Sequence, residues 1–132
     1  MRINVVLDDL QFEAVLLTDA APTTCRALLA ALPIESRVIH AMWSGHLIIA
    51  TPIDLGLAEV ENEVTIPVPG DLLYHQRHKE IAIAYGEAQF REPIGPVYVA
   101  RLGRLDCDLD ALAELGARVQ LEGAKAFRLY KG

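Results

Sequence analysis

The residues able to do chemistry fall into two groups: Arg37, His40 and Trp43 in one stretch, and Tyr85 with Glu87 in another. A guanidinium holds a carboxylate or amide through charge-assisted hydrogen bonds. An indole, here the only one in the chain, walls a pocket while keeping one polar edge for a partner. Histidine moves protons near neutral pH. A tyrosine and a glutamate at the rim of a rigid sheet orient a small ligand. Together these side chains describe a cleft for a small acid or amide, stacked on Trp43 and held by Arg37 or a histidine. The same set read as an enzyme uses His40 or Glu87 as acid or base on small amides or cyclic imides. Such a role needs a carboxylate whose pKa burial or a charged neighbour has moved.

Other candidates carry less. His75 and His78 are two residues apart, and the sequence places no cysteine or carboxylate beside them at ligand spacing. Zinc needs three or four converging ligands, so no metal site is expected. Cys25 falls in an apolar helical stripe and reads as core packing. Glu59, Glu61 and Glu63 read as a solvated acidic loop. Nucleotide-binding and serine-hydrolase fingerprints are missing, and no cofactor is expected.

Length and composition bound the answer. A chain of 132 residues makes one domain with its own core, spanning residues 1–132. Acidic residues outnumber Lys and Arg by 18 to 12, a net charge of -6, which argues against nucleic-acid binding. No apolar run reaches the ~18 residues of a membrane span, and no signal segment precedes the first strand. The two cysteines form no disulfide framework. A cytoplasmic protein is therefore expected. The apolar fraction of 52% is high for so short a chain, and a homo-oligomer is expected to bury the surplus.

The elements that must position these residues are mostly short strands. Met1–Asp8 and Leu10–Leu17 form an opening hairpin. Thr18 or Asp19 caps a helix over Ala20–Ala31, with Pro22 in its first turn and Pro33 after its end. Arg37–Trp43 and His46–Ala50 flank a two-residue turn at Ser44-Gly45. That pairing sets Arg37, Ile39, Ala41, Trp43, His46 and Ile48 on one face, and Val38, His40, Met42, Leu47 and Ile49 on the other. A third hairpin joins Asp71–His75 to Glu80–Tyr85 through a polar tip, and Gly86–Pro96 reads as a loop. Val97–Leu102 is a strand. Asp108 caps a helix over Leu109–Leu115 that Gly116 ends, and Lys125–Tyr130 closes the sheet. The pattern predicts a mainly-β closed barrel with two short helices.

The segments Asp19-Ala20-Ala21-Pro22-Thr23-Thr24, Arg37-Val38-Ile39, His40-Ala41-Met42-Trp43-Ser44-Gly45, Pro69-Gly70-Asp71-Leu72-Leu73-Tyr74 and Ile81-Ala82-Ile83-Ala84-Tyr85-Gly86 resemble bacterial cyclophilin-like proteins of unknown function. The resemblance implies a cyclophilin-like barrel. It also matches Arg37 to the arginine with which cyclophilins isomerise X-Pro bonds, so a prolyl-peptide isomerase or peptide-binding module is a third reading. Met42 and Gly45 stand where that resemblance implies a phenylalanine and a glutamine, and isomerase activity is expected to be absent or weak.

Overall fold

The structure, a computed structural model, describes residues 1–132. In chain order its elements are β1 (Arg2–Leu7), β2 (Leu10–Leu16), α1 (Pro22–Ala31), β3 (Ile34–His40), β4 (Gly45–Ala50) and β5 (Glu63–Val64). There follow β6 (Asp71–His75), β7 (Glu80–Ala88), β8 (Arg91–Glu92), β9 (Gly95–Pro96), β10 (Val99–Asp106), α2 (Leu109–Glu122) and β11 (Lys125–Tyr130). Eight strands run in the order β2, β1, β11, β3, β4, β7, β6 and β10, and β10 pairs back onto β2. All these pairings are antiparallel. The result is a closed, mainly-β barrel with two helices. Short β5 pairs with the beginning of β10, and β8 with β9 forms a separate small hairpin. No helix is long and apolar enough to cross a membrane.

Alternation explains the closure. Ile3, Val5 and Leu7 of β1 are buried, as are Ala14 and Leu16 of β2, Ile48 and Ala50 of β4, and Ile81 and Ile83 of β7. These side chains fill an eight-stranded interior and share one core with Cys25 and Leu28 of α1 and Leu112, Leu115 and Val119 of α2. Each fully buried Leu or Ile contributes roughly 1.5–3 kcal/mol. Cys25 is a core residue as expected, and its thiol donates to the Leu102 carbonyl at 3.4 Å.

The opposite face of part of the barrel is apolar too. Leu47, Leu73, Ala82, Ala84 and Val99 pack with Phe90 into a second, smaller core that Ala88 and Val97 help to cover. The chain after β7 folds back over its own strands here. Part of the apolar surplus is thus covered within one chain.

Three local expectations are corrected. The β3–β4 connection is not a two-residue turn: residues 41–44 form a longer loop, Ile39 pairs with Ile49, and His40 pairs with Ile48. This register differs by one residue from the expected pairing, which moves Ile48 onto the side of Val38 and His40. The helix α2 does not stop at Gly116 but continues to Glu122, with Gly123 at its C-cap. Asp108 does cap it, accepting from the Asp110 and Ala111 amides. Tertiary packing overrides the weak helix propensity of Gly116, because only a glycine lets the helix lie against the Tyr85 ring.

The third correction concerns α1. Neither Thr18 nor Asp19 caps it; Ala21 is the N-cap and makes no side-chain bond. Glu61 arrives from the long loop instead, accepting from the Thr24 amide at 2.6 Å, the Thr24 hydroxyl at 2.8 Å and the Thr23 amide at 3.3 Å. An ionised carboxylate at a helix N-terminus satisfies orphan amides and complements the dipole. The Thr24 amide above all holds the Glu61 carboxyl below its ordinary value of 4.5. A lowered carboxyl favours the fold above that ordinary value and loses its contribution as pH falls below it. Urea midpoints measured from pH 6 downward should therefore show wild type above Glu61→Gln near neutrality, with the two converging in acid. Parallel curves would show that Glu61 is not the cap.

Candidate functional site

The best-formed concavity lies outside the barrel, beside the second core. It encloses about 260 Å³ between the 41–44 loop, the β6–β7 tip and the residues leading into β8. Met42, Trp43, Leu47, Ile49 and Phe90 make its apolar wall; His75, His78, Glu80 and Arg91 are its polar groups. The sequence builds this cleft from rigid parts. Leu47 and Ile49 are the outward members of β4, Phe90 is pinned in the second core, and His75 ends β6 opposite Glu80.

The polar end is densely connected. His75 is 5% exposed. Its ring stacks on His78 at 4.1 Å between centroids and meets Phe90 edge-on at 6.2 Å. Its Nδ1 accepts from the His78 amide at 3.3 Å. Burial first, and then the neighbouring His78, push the His75 pKa down to about 4, so the ring is neutral at physiological pH. The His78 Nε2 lies 3.0 Å from Glu92 Oε1, and its Nδ1 lies 3.7 Å from Glu80 Oε1. Burial pushes the Glu80 carboxyl up. Arg77 holds the other Glu92 oxygen at 2.8 Å. Arg91, in contrast, takes part in none of the chain's ion pairs.

The five side chains expected to share one cleft are distributed over three places. Trp43 is 64% exposed and stands between the cleft and a shallower hollow, where Ile66, Val68, Glu87 and Arg91 are among its neighbours. Trp43 and Glu87 are therefore brought together. Arg37 is not: it lies in a separate open depression with Glu35, Ser36, Ile39 and Thr51.

His40 and Tyr85 meet each other, but on the barrel's inward side. Tyr85 Oη donates to His40 Nε2 at 2.6 Å, and His40 Nδ1 donates to the Ala41 carbonyl at 2.7 Å. The ring of Tyr85 also stacks on His46 at 5.1 Å between centroids, and burial pushes its hydroxyl pKa up. Neither His40 nor Tyr85 lines the cleft.

His75, His78, Phe90, Arg91 and Glu92 are the site residues that sequence reasoning passed over. The His-x-x-His spacing was visible. Its carboxylate partner was not, because Glu92 reaches the β6–β7 tip only through the turn-back of the chain after β7.

Fold and cleft together define a class: a small closed β-barrel with a surface cleft. Within it the chain belongs to DUF3830, a family described as proteins of unknown function, which it matches over residues 3–131. Among solved structures it is similar to McbB in complex with tryptophan, with a TM-score of 0.81 at 20% identity. That match covers 98% of this chain and 44% of McbB, so the chain spans less than half of that protein. The hypothetical protein AF2241 from Archaeoglobus fulgidus is similar with a TM-score of 0.68 at 22% identity, covering 100% of this chain and 95% of that one. At these identities the likeness is one of fold. No curated protein matches the chain.

Proposed function

We propose that this protein binds a small organic acid or amide in the outer cleft, with Trp43 as stacking wall and Arg91 as the group that meets the acid. The observation that carries this reading is an apolar, aromatic-walled concavity with a guanidinium at its rim, that of Arg91, which is in no ion pair with a carboxylate of the chain. Ligand sites have this composition: a mostly apolar lining with a few placed polar groups. Arg91 takes the role first given to Arg37, which lies elsewhere. Glu87 remains within the adjoining hollow and suits the amino or amide end of a longer ligand.

The order of hairpin, helix and barrel strands supports kinship with cyclophilin-like proteins. A prolyl-peptide site gains no support, since Arg37 and the apolar cleft are separate. Hydrolysis or isomerisation of small amides is the second reading. It is favoured by the His75, His78 and Glu80 wall of the same cleft.

The single indole makes the test direct. Titrating the protein with aromatic and aliphatic carboxylates, tryptophan among them, and with the matching amides should change Trp43 fluorescence saturably for at least one acid. Arg91→Ala should weaken that acid about 10- to 100-fold, as expected for a lost charge-assisted bond, and leave its amide nearly unchanged. Calorimetry on Trp43→Ala should show a comparable loss for aromatic ligands. Absence of saturable binding across the panel, or equal acid affinity in Arg91→Ala, would sink the proposal.

A further inference from the structure

We infer that His75, His78 and Glu92 form a binding site for one divalent transition-metal ion at the polar end of the cleft. One ligating atom from each residue lies within 4.8 Å of the other two. Zinc bound tetrahedrally at about 2.0–2.1 Å sets its ligands roughly 3.4 Å apart. His78 Nε2 and Glu92 Oε1 already lie 3.0 Å apart, so it is this pair and the His75 atom, within 4.8 Å of each other, that must approach, by about an ångström or slightly more. The movement falls on two short outer segments: His78 is exposed at the β6–β7 hairpin tip, and Glu92 sits on the separate β8–β9 hairpin. His75 is the fixed base, buried at the end of β6 and packed edge-on against Phe90.

The polar contacts leave ligating atoms for an ion. His78 Nε2 and Glu92 Oε1 face each other at 3.0 Å, and a cation bound between these two atoms takes the place of any proton there. On the far side of the His78 ring, Glu80 Oε1 lies 3.7 Å from Nδ1. A carboxylate behind a ligating histidine orients the ring and raises its basicity. Arg77 engages Glu92 Oε2 and leaves Oε1 for the ion. Two contacts must give way. The His78 amide bond to His75, already long at 3.3 Å, is released, and the parallel His75–His78 stack opens, since two stacked rings cannot aim their lone pairs at one point. Both histidines line the 260 Å³ cleft, so a fourth coordination position faces it. Two imidazoles and one carboxylate select zinc, iron(II), cobalt(II) or similar ions over magnesium and calcium. Three protein ligands with an open position form the arrangement of catalytic rather than structural metal sites.

The ion site stands independently of the acid-binding reading and is tested with the metal alone. The full chain, without a histidine tag and stripped by chelator, is titrated with Zn(II) and Co(II) by calorimetry and by absorption. One equivalent should bind with a Kd of about micromolar or tighter, and Co(II) should show the visible bands of a low-symmetry site. Glu92→Gln keeps the size of a half-buried side chain and His78→Gln changes an exposed one, so both should fold normally by circular dichroism; each should weaken binding at least 100-fold. Glu80→Gln, in the supporting position, should cost about tenfold, whereas His46→Gln, outside the site, should cost nothing. NMR of the imidazole nitrogens should show His75 and His78 shifting together, with the ring-current signature of their stack lost. Stoichiometry of zero, or affinity untouched by Glu92→Gln and His78→Gln, would overturn the assignment.

Discussion

Gly116→Ala is expected to destabilise the protein by about 2–4 kcal/mol, although alanine is the better helix former by roughly 1 kcal/mol. Gly116 lies buried in the middle of α2, and a Cβ there would sit inside contact distance of three ring carbons of Tyr85. The ring has no room to yield. Its hydroxyl is bonded to His40 at 2.6 Å, and its other neighbour is the stacked His46. Gly86 is equally constrained, since a Cβ there would overlap His46. The helix must shift instead, pulling Leu112, Leu115 and Val119 out of the barrel core. Overpacking of this kind costs more than the methyl group gains. Urea denaturation gives the number. A double-mutant cycle with Tyr85→Ala should show strong coupling, because removing the ring removes the clash. A neutral or stabilised Gly116→Ala would show that α2 does not rest on Tyr85.

Arg101→Met is expected to cost about 3–5 kcal/mol at neutral pH. The Asp71 side chain is 1% exposed; one oxygen accepts from Arg101 Nε at 2.8 Å and from the Val68 amide at 3.0 Å. The other oxygen has no partner. Arg101 is therefore the only opposite charge on a carboxylate already short of hydrogen bonds. Deleting one member of a buried pair leaves an uncompensated charge, which is the costly direction. Asp71→Asn combined with Arg101→Met removes the charge and should recover part of the loss. Arg101→Lys should fall between, since an ammonium restores the charge but not the guanidinium geometry. A loss below about 1 kcal/mol for Arg101→Met would place this pair among solvated surface pairs.

Both predictions concern residues whose importance is not local. Gly116 reads in sequence as a helix end, and Arg101 as one polar residue in a strand. Much else was legible from short stretches. The opening hairpin, α1 between its prolines, the β6–β7 hairpin, the Asp108 cap and the closing strand all occur where residue type and spacing put them. So did the barrel itself: alternating apolar side chains on strands too short to stand alone must close on one another to bury their inner face.

The site was legible only in pieces. Trp43 and Glu87 are near each other, and His40 and Tyr85 are bonded, but the two pairs face opposite sides of the barrel wall. Alternation along β3 and β7 sends His40 and Tyr85 inward, and the irregular β4–β7 pairing between Gly45 and Leu47, which no local pattern announces, carries Glu87 to the other side. Glu61 at the start of α1 and Glu92 at the histidine tip come from loops whose landing points depend on the closed sheet beneath them.

By itself, then, the sequence determined the strands, the helices and the need to close a core, because propensity, alternation and capping act among residues a few positions apart. Only the tertiary structure decided that Arg91 rather than Arg37 borders the cleft, and that His75, His78 and Glu92 converge. Those meetings join residues distant in the chain. Their geometry is set by sheet register and by the packing of the second core, which no local pattern encodes.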